Sequence, residues 1–541
     1  MPTHGNDNGR PGAAPPEEVQ LALDEARLRE EVEARRRRND IETDYWLRKV
    51  CRNLRPGRDG ADLAAFDRGD HTEAAHHLHS ALAREKLLYD AGEIYRYRSN
   101  GVWVPIPNYF LQTVVMDLAG APVLTAKGEK PLQVSNGYAE DTTKVLEKLV
   151  RASDKNRTFA QARPGLGFTN GFLTMEDGVP TLGEHSPDNL SRFSYDFAFT
   201  PDAPHPMLDR FFEVVFRGEN DQAKRELPML LQEFIGACLF GQATKIEKIL
   251  LLLGPGGNGK SQFLTIARSL FPPGSVSALP PQSWGEQYLV HDLQGRLANF
   301  VDEVPAREIS SGAVFKKIVS GQETHANRKF RDGILFSPIC GHIFNANEAP
   351  GTTDTSEGFF RRVLMVPFMW KPGALEAEVD IGSKIASAEK RALVSWAIRG
   401  YARLVKQGMR YTEPTRVKQQ SEAWRTQEDG VRMFLFAVYE QHADAVRFSM
   451  NDLYRMYTEW CDRTKHLSMG LHKWARRVRT TNLTIDDDAR NERGFRWNHD
   501  VVRELRELMG SEAPEWGEAP LPGTGTYSLP GADRERRSRK N

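Results

Sequence analysis

Near the middle of the chain lies a glycine-rich octapeptide that fixes the kind of fold around it. Residues 254–261 match the phosphate-binding pattern G-x-x-x-x-G-K-[ST] at every required position, and an apolar run at 248–253 supplies the strand expected before such a loop. The predicted nucleotide-binding residues are Gly254, Pro255, Gly256, Gly257, Asn258, Gly259, Lys260 and Ser261. We therefore expect an α/β domain that binds a nucleoside triphosphate.

The residue types in this loop are those that binding of phosphate and magnesium requires. Glycines allow successive backbone N–H groups to turn inward around the phosphates. The ammonium of Lys260 places a positive charge against the β and γ oxygens, and the hydroxyl of Ser261 can bind Mg²⁺. The expected ligand is therefore a nucleoside triphosphate with its magnesium ion.

Composition sets outer limits on the chain. Its 541 residues suggest about three or four domains. Lysine plus arginine and aspartate plus glutamate both number 73, so any nucleic-acid-binding surface has to be local. The four cysteines are far apart in sequence, which argues against a zinc ribbon or a CxxC pair and fits a reducing setting. Since no apolar run is long enough for a signal region or membrane span, we expect a soluble, cytoplasmic protein.

Two polar strand ends downstream of the loop indicate that the nucleotide is hydrolysed. The apolar run at 297–301 ends in Asp302 and Glu303; Asp302 can hold Mg²⁺ through water, and Glu303 can polarise an attacking water. A second apolar run at 339–346 ends in an amide suited to the γ-phosphate or the attacking water. We favour Asn347 over Asn345 for this role.

An arginine pair, Arg361 and Arg362, stands directly before a third apolar run. One of the two guanidinium groups could reach the γ-phosphate held by a neighbouring subunit. An arginine finger of this kind requires a ring of subunits.

Between the acidic pair and the amide lies a basic segment. Residues 311–331 contain five lysines or arginines and one acidic residue, although the whole chain is neutral. We expect a hairpin whose cations grip the phosphates of a single strand; the alternative is a solvated positive loop. The predicted DNA contacts are Lys316, Arg328, Lys329 and Arg331.

Taken in order, these elements resemble the superfamily 3 helicases, and specifically the helicase-primase family of phages, plasmids and poxviruses. The resemblance covers residues 90–500 or so. It rests on the loop at 254–261, Asp302-Glu303, Gly321 through Arg331, Asn347-Glu348-Ala349-Pro350, and Arg361-Arg362 before Pro367-Phe368.

The resemblance implies an AAA+-type core that forms a hexameric ring, hydrolyses ATP with Mg²⁺ and moves along single-stranded DNA in the 3′ to 5′ direction. It also implies that Arg362 is the finger. The implied catalytic residues are Lys260, Glu303, Asn347 and Arg362, with Ser261 and Asp302 at the metal. The implied partners are single-stranded and forked DNA and a separate primase or polymerase, in the cytoplasm of the host cell.

The expected architecture is an AAA+-like core with a parallel sheet, preceded by a mixed α+β domain and followed by a winged-helix-like domain. Two Asn-Gly pairs, at 100–101 and 170–171, predict β-hairpins in the first part. The predicted divisions are a disordered start with a charged helical arm at 1–65, an α+β domain at 66–204, a helical lead-in with the ATPase at 205–400, a winged-helix-like domain at 401–509, and a disordered basic tail at 510–541.

Two alternatives remain open. A bifunctional primase-helicase would need a catalytic domain with a D-x-D pair and a downstream histidine, or a zinc module, and residues 1–150 contain neither. An origin initiator would use ATP only to control its assembly on DNA, without translocating. A template-dependent synthesis assay tests the first alternative, and a strand-displacement assay tests the second.

Overall fold

The computed structural model describes residues 40–51, 66–82, 86–153, 157–304, 312–328, 331–352, 354–373, 376–487 and 493–518. The predicted disordered start and charged arm before residue 40 lie outside these ranges, as do Lys329 and the tail from residue 519. The chain divides into two compact units, Met1–Arg163 with His185–Ser194, and Pro164–Glu184 with Tyr195–Asn541. The domain limits given above remain predictions.

The first unit combines helices with two small antiparallel sheets. Its second hairpin closes around Asn100-Gly101, with Tyr97 opposite Trp103, which confirms the hairpin predicted there. A buried apolar cluster joins its helices to these strands. The elements are α1 (residues 40–50), α2 (His71–Leu82), β1 (Leu87–Asp90), β2 (Glu93–Tyr97), β3 (Trp103–Ile106), α3 (Asn108–Met116), β4 (Pro122–Thr125), β5 (Gly128–Pro131) and α4 (Asn136–Ser153).

The second unit begins with an antiparallel sheet and leads through two helices into a parallel sheet. Phe168 pairs with Gly171 across the two turn residues Thr169 and Asn170, so the hairpin predicted here is also confirmed. The elements up to residue 406 are β6 (Leu166–Phe168), β7 (Gly171–Glu176), β8 (Val179–Gly183), α5 (Pro206–Val215), α6 (Asp221–Leu239), β9 (Ile249–Leu253), α7 (Lys260–Ser269), β10 (Val276–Ser277), β11 (Ala298–Val301), α8 (Gly312–Val319), β12 (Thr324–Arg328), β13 (Arg331–Phe336), β14 (Gly341–Ala346), α9 (Glu357–Phe360), β15 (Val363–Pro367) and α10 (Ile381–Lys406).

A five-stranded parallel sheet organises this unit. Its strand order is β10-β11-β14-β9-β15, and every neighbouring pair runs parallel. All residues of β9, β11, β14 and β15 are buried, which explains why these strands are mostly apolar in sequence. The predicted α/β core with a parallel sheet is therefore confirmed. Because the strands are parallel, the segments that follow β9, β11, β14 and β15 emerge at one edge of the sheet.

The last part of the second unit is mainly helical, with a small antiparallel sheet of order β16-β18-β17. Three aromatic side chains, Tyr457, Trp460 and Trp474, are almost fully buried in its core. Its elements are α11 (Thr415–Glu428), α12 (Gly430–His442), β16 (Phe448–Ser449), α13 (Met450–Thr464), α14 (Leu471–Thr480), β17 (Thr484–Asp486), β18 (Gly494–Trp497) and α15 (His499–Met509). Across the described ranges, no helix has both the length and the apolar character needed to cross a membrane.

Candidate active site

The glycine-rich loop connects β9 to α7 in a conformation that two of its glycines make possible. Gly259 precedes the first helical residue with a φ of +93°, and a Cβ there would lie 2.7 Å from Cγ1 of Val215. Gly254 has a φ of +155°, and its Cβ would lie 2.1 Å from the carbonyl oxygen of Phe368. Side chains are excluded at both positions by backbone angle and by space. The loop is thus packed closely between α5 and the end of β15.

Lys260 is the buried cation of this loop, with 5% of its surface exposed. Its ammonium donates hydrogen bonds to the carbonyl oxygens of Gly254 at 2.5 Å and Pro255 at 3.1 Å. It also donates to the side-chain oxygens of Asn258 at 3.1 Å and Asn347 at 3.2 Å. These four acceptors are neutral, so they hold the ammonium in place without cancelling its charge. The predicted loop lysine and the predicted amide are in direct contact.

Asn258 links the glycine-rich loop to the segment that follows β15. This side chain is 1% exposed, and its amide nitrogen donates to the carbonyl oxygen of Phe368, directly after β15. Its other end accepts the bond from Lys260, so one amide connects the lysine to the last strand of the sheet. In the sequence, Asn258 occupies a variable position of the motif, and the motif does not indicate that its side chain links the loop to β15.

Asp302 lies at the end of β11, within reach of the loop. One of its carboxylate oxygens accepts hydrogen bonds from the hydroxyl of Ser261 at 3.2 Å and from the amide of Asn345 at 2.7 Å. The two residues predicted at the metal are therefore adjacent. Asn345 is 2% exposed inside β14 and orients this carboxylate, a role for which the sequence analysis did not select it. A polar residue inside an otherwise apolar run is the signal that could have identified it.

Glu303 follows Asp302 in an unusual backbone conformation. It has a φ of +60°, in the left-handed region that non-glycine residues rarely adopt, and its side chain is exposed. The next residue, Val304, returns to the sheet by donating from its N–H to the carbonyl of Asn345 at 2.7 Å. Glu303 is therefore a single left-handed residue between Asp302 and a residue that is bonded to β14. Strained residues of this kind cluster at functional sites.

The two arginines before β15 have opposite surroundings. Arg362 is 8% exposed and donates to the carboxylate of Glu247 at 2.6 Å, the hydroxyl of Ser320 at 3.0 Å and the carbonyl of Gly358 at 2.5 Å. The side chain of Arg361 is 60% exposed, and its nitrogen lies 3.7 Å from the same Glu247 carboxylate. For Arg362 to contact a neighbouring subunit, its bonds within the chain would have to break, whereas Arg361 already faces solvent.

The basic segment folds partly into the predicted hairpin. Strands β12 and β13 pair antiparallel, and Arg328 stands opposite Arg331 in the register. Lys329, between them, lies outside the described residues. On the preceding helix, the ammonium of Lys316 forms an ion pair with Asp354 at 2.7 Å and donates to Ser356 at 2.8 Å. A DNA contact by Lys316 would therefore compete with these bonds.

The Lys316 contacts also affect the acidity of Asp354. Burial acts to raise the pKa of this carboxyl, but hydrogen bonds from Lys316 and Ser356 outweigh burial and lower the pKa below its ordinary value. The carboxylate therefore stays ionised at neutral pH. The ion pair ties α8 to the segment between β14 and β15.

Part of the chain matches a known family and a known viral protein. Residues 252–362 match the model of DUF5906, which is described as a family of unknown function. Over 349 residues the chain is 24% identical to a protein of Acanthamoeba polyphaga mimivirus named "Putative helicase". The match covers 55% of this chain and 35% of that protein, so the chain spans little more than one third of the length of this relative.

Solved structures with a similar course of the chain include two apo structures of the "NrS-1 C terminal region". Both are 12% identical in sequence and cover 77% of this chain. The alignments cover 98% and 97% of those chains, with TM-scores of 0.41 and 0.40. The sequence match, at 24% identity, gives the chain a distant viral relative whose name is that of a helicase.

Proposed function

We propose that this chain is an ATP-dependent replicative DNA helicase of superfamily 3, from a phage, prophage or plasmid, which moves along single-stranded DNA as a hexameric ring. One observation carries the proposal. Lys260 contacts Asn347, and Ser261 contacts Asp302, so three separate segments meet at one edge of a parallel sheet. This convergence is what hydrolysis of a nucleoside triphosphate requires. The mimivirus relative with a helicase name supports the choice of a helicase.

The residues at this edge fit ATP and Mg²⁺. The loop offers backbone N–H groups at the start of α7, together with the ammonium of Lys260, which donates hydrogen bonds to the neutral oxygens of Gly254 and Asn258. A hydroxyl and a carboxylate, from Ser261 and Asp302, stand 3.2 Å apart, and Mg²⁺ prefers such oxygen ligands in addition to phosphate oxygens. When bound, Mg²⁺ would neutralise part of the charge on the phosphates.

The proposed roles follow from these surroundings. Lys260 holds the β and γ oxygens, and Asn347, now bonded to that lysine, contacts the γ-phosphate or the attacking water. Glu303 is exposed at the mouth of the site, where its carboxylate can orient and polarise water. Arg362 is the proposed finger that acts across the subunit interface, with Arg361 as the exposed alternative. Arg328, Lys329 and Arg331 convert the cycle into strand movement.

Two features support an AAA+-type core and an appended winged-helix module. Strand β9, which leads into the loop, lies between β14 and β15, so the strands that carry the amide and the arginine pair flank it. In the last part of the chain, the order α12-β16-α13-α14-β17-β18 with its small antiparallel sheet supports the proposed winged-helix module. We propose that the protein acts in the cytoplasm, on forked DNA, with a separate primase or polymerase.

Purified chain would be tested for ATPase activity with and without single-stranded DNA, and for displacement of a strand from a forked duplex. A helicase shows both activities, and K260A abolishes both. Stimulated ATPase activity without displacement on any fork would support the non-translocating initiator instead. Synthesis of oligoribonucleotides on a single-stranded template would support the bifunctional primase-helicase. Absence of ATP hydrolysis under all conditions would overturn the proposal.

A further inference from the structure

The segment that follows β15 passes beside the glycine-rich loop and is held there at two points. The N–H of Phe368 donates to the carbonyl of Leu253 at 2.7 Å, and its own carbonyl accepts from Asn258. Two residues later, the ring of Trp370 lies near the turn that follows α5, where a Cβ on Gly218 would be 3.3 Å from ring atom Cε3. These contacts fix the course of the chain up to residue 370.

Lys371 comes next, and its side chain lies over the loop. Its Cε is 3.3 Å, and its Nζ 3.9 Å, from the position that a Cβ on Gly257 would occupy. Gly257 is an exposed residue of the phosphate-binding motif, with a φ of +77°. The ammonium of an exposed lysine therefore lies close to the loop, and the backbone three residues before it is bonded to that loop.

The surroundings of Lys371 differ from those of Lys260. Lys260 is buried and has several oxygen acceptors within the chain. Lys371 is exposed, and no carboxylate of the described residues forms an ion pair with it. The loop itself contains no acidic residue. The site thus has a second, uncompensated cation next to the backbone that would receive the phosphates.

We propose that Lys371 is a further nucleotide-binding residue, which contacts the phosphates of the bound nucleotide in addition to the buried Lys260. This inference rests on the proposed function, because it assumes that the loop binds a nucleoside triphosphate. A polyphosphate carries several negative charges, and charge-assisted hydrogen bonds to it are stronger than those between neutral groups. A cation that is already positioned loses less entropy on binding than a free surface lysine.

The test compares K371A with a matched control, K384A, in the full chain. Lys384 is also an exposed lysine, 51% by side chain, but its ammonium pairs with Glu378 at 2.7 Å. Calorimetric titration with ATP and Mg²⁺ should show about tenfold weaker binding for K371A. Binding should be unchanged for K384A and largely retained for K371R, which keeps the charge. All variants should melt at the wild-type temperature without nucleotide, because Lys371 makes no buried contact.

The outcomes separate this inference from the proposed function. If the wild-type chain binds ATP and K371A binds it equally well, Lys371 is a solvated lysine and only the inference fails. If K384A loses as much affinity as K371A, the effect is one of general charge, which also overturns it. If the wild-type chain binds no ATP, the proposed function itself fails. Weaker binding of ATP but not of ADP would assign the Lys371 contact to the γ-phosphate.

Discussion

Two carboxylates that are adjacent in the sequence are held in different ways. Asp302 has one oxygen fixed by Ser261 and Asn345, whereas Glu303 is exposed at a left-handed backbone position. A fixed oxygen suits a metal ligand, which needs a constant geometry. An exposed carboxylate suits a group that has to orient a water molecule brought in with the substrate. The distinction supports separate roles for the two acids.

Substituting the two charged residues of the proposed site should separate binding from hydrolysis. E303Q keeps the size of the side chain but removes the base, so ATP binding should persist while turnover falls by about 100-fold or more. K260A should abolish hydrolysis, because it removes the buried ammonium that contacts the loop and Asn347. Nucleotide titration and phosphate release measure the two effects. Near-normal turnover in E303Q would contradict the assignment of the base.

The arginine pair permits a similar comparison. R362A should stop hydrolysis without preventing nucleotide binding, as expected of a finger. It should also reduce the free energy of unfolding by about 2 kcal/mol, because the bonds to Glu247 and Ser320 are lost. R361A removes an exposed side chain and should leave stability unchanged.

Phosphate release and thermal melting of both variants distinguish the possible roles. If R362A melts lower but retains turnover while R361A loses it, the finger is Arg361 and Arg362 contributes to stability alone. If both variants retain turnover, neither guanidinium acts at the site, and the proposed finger is wrong.

Among individual residues, the sequence could predict those that belong to a recognisable motif. Lys260, Ser261, Asp302 and Asn347 fall into this class, and the structure brings them together. The sequence could not reveal Asn258 as a link to β15 or Lys371 as a neighbour of the loop. Both depend on where the end of β15 runs relative to β9, which is a tertiary contact between segments more than 100 residues apart.

Helices and strands can be predicted best from the sequence where a short local pattern determines them. Both Asn-Gly pairs lie at the turns of antiparallel hairpins, where Gly101 and Gly171 adopt the positive φ values of +84° and +144° that glycine tolerates. The buried parallel strands read as apolar runs because both of their faces are covered. The order of the strands in the sheet has no comparable local signal. It depends on how the connecting segments cross, so only the α/β class could be predicted.

The arginines of helix α14 differ in how deeply their side chains are buried. The guanidinium of Arg477 turns inward, with 15% of its side chain exposed, and donates to the fully buried carboxylate of Asp429 and to the carbonyl of Thr355 at 2.5 Å. Arg479, on the same helix, forms an ion pair with the exposed Asp486 at 3.0 Å. The sequence lists both arginines on one helix and does not distinguish them. The structure assigns Arg477 to packing, so that α14 is tied to the segment between β14 and β15.

Alanine substitution should therefore affect these two arginines unequally. R477A leaves the buried Asp429 without its cation, which should cost about 3 kcal/mol of unfolding free energy. R479A breaks a surface pair and should cost less than about 1 kcal/mol. Urea unfolding of the full chain, monitored by tryptophan fluorescence, measures both, since Trp474 belongs to α14 and lies in the core. Equal unfolding midpoints for the two variants would contradict the proposed packing role.

In the proposed function, the whole molecule connects nucleotide hydrolysis to movement on DNA, and the basic hairpin is the element proposed for that step. Its strands β12 and β13 belong to the same compact unit as the nucleotide site. The N–H of Asn327 donates to the carbonyl of Gln287 at 2.9 Å, and its amide donates to the side chain of Gln287 at 2.8 Å. These bonds hold β12 to the segment that precedes β11. Ring formation, in contrast, depends on surfaces between subunits, which neither motifs nor hydrophobic patterns reveal.

Replacing a single cation of the hairpin should uncouple the two activities. K329A should hydrolyse ATP at nearly the wild-type rate, because the substitution leaves the nucleotide site intact, but it should displace the strand of a fork at least about tenfold more slowly. K384A, which removes an exposed and paired lysine of the same unit, serves as the control and should retain both activities. The contact is with phosphates, so wild-type binding to single strands should weaken more steeply with added salt than binding by K329A. Unchanged unwinding by K329A would mean that the hairpin is a solvated positive loop, and the motor would then have to grip DNA through another surface.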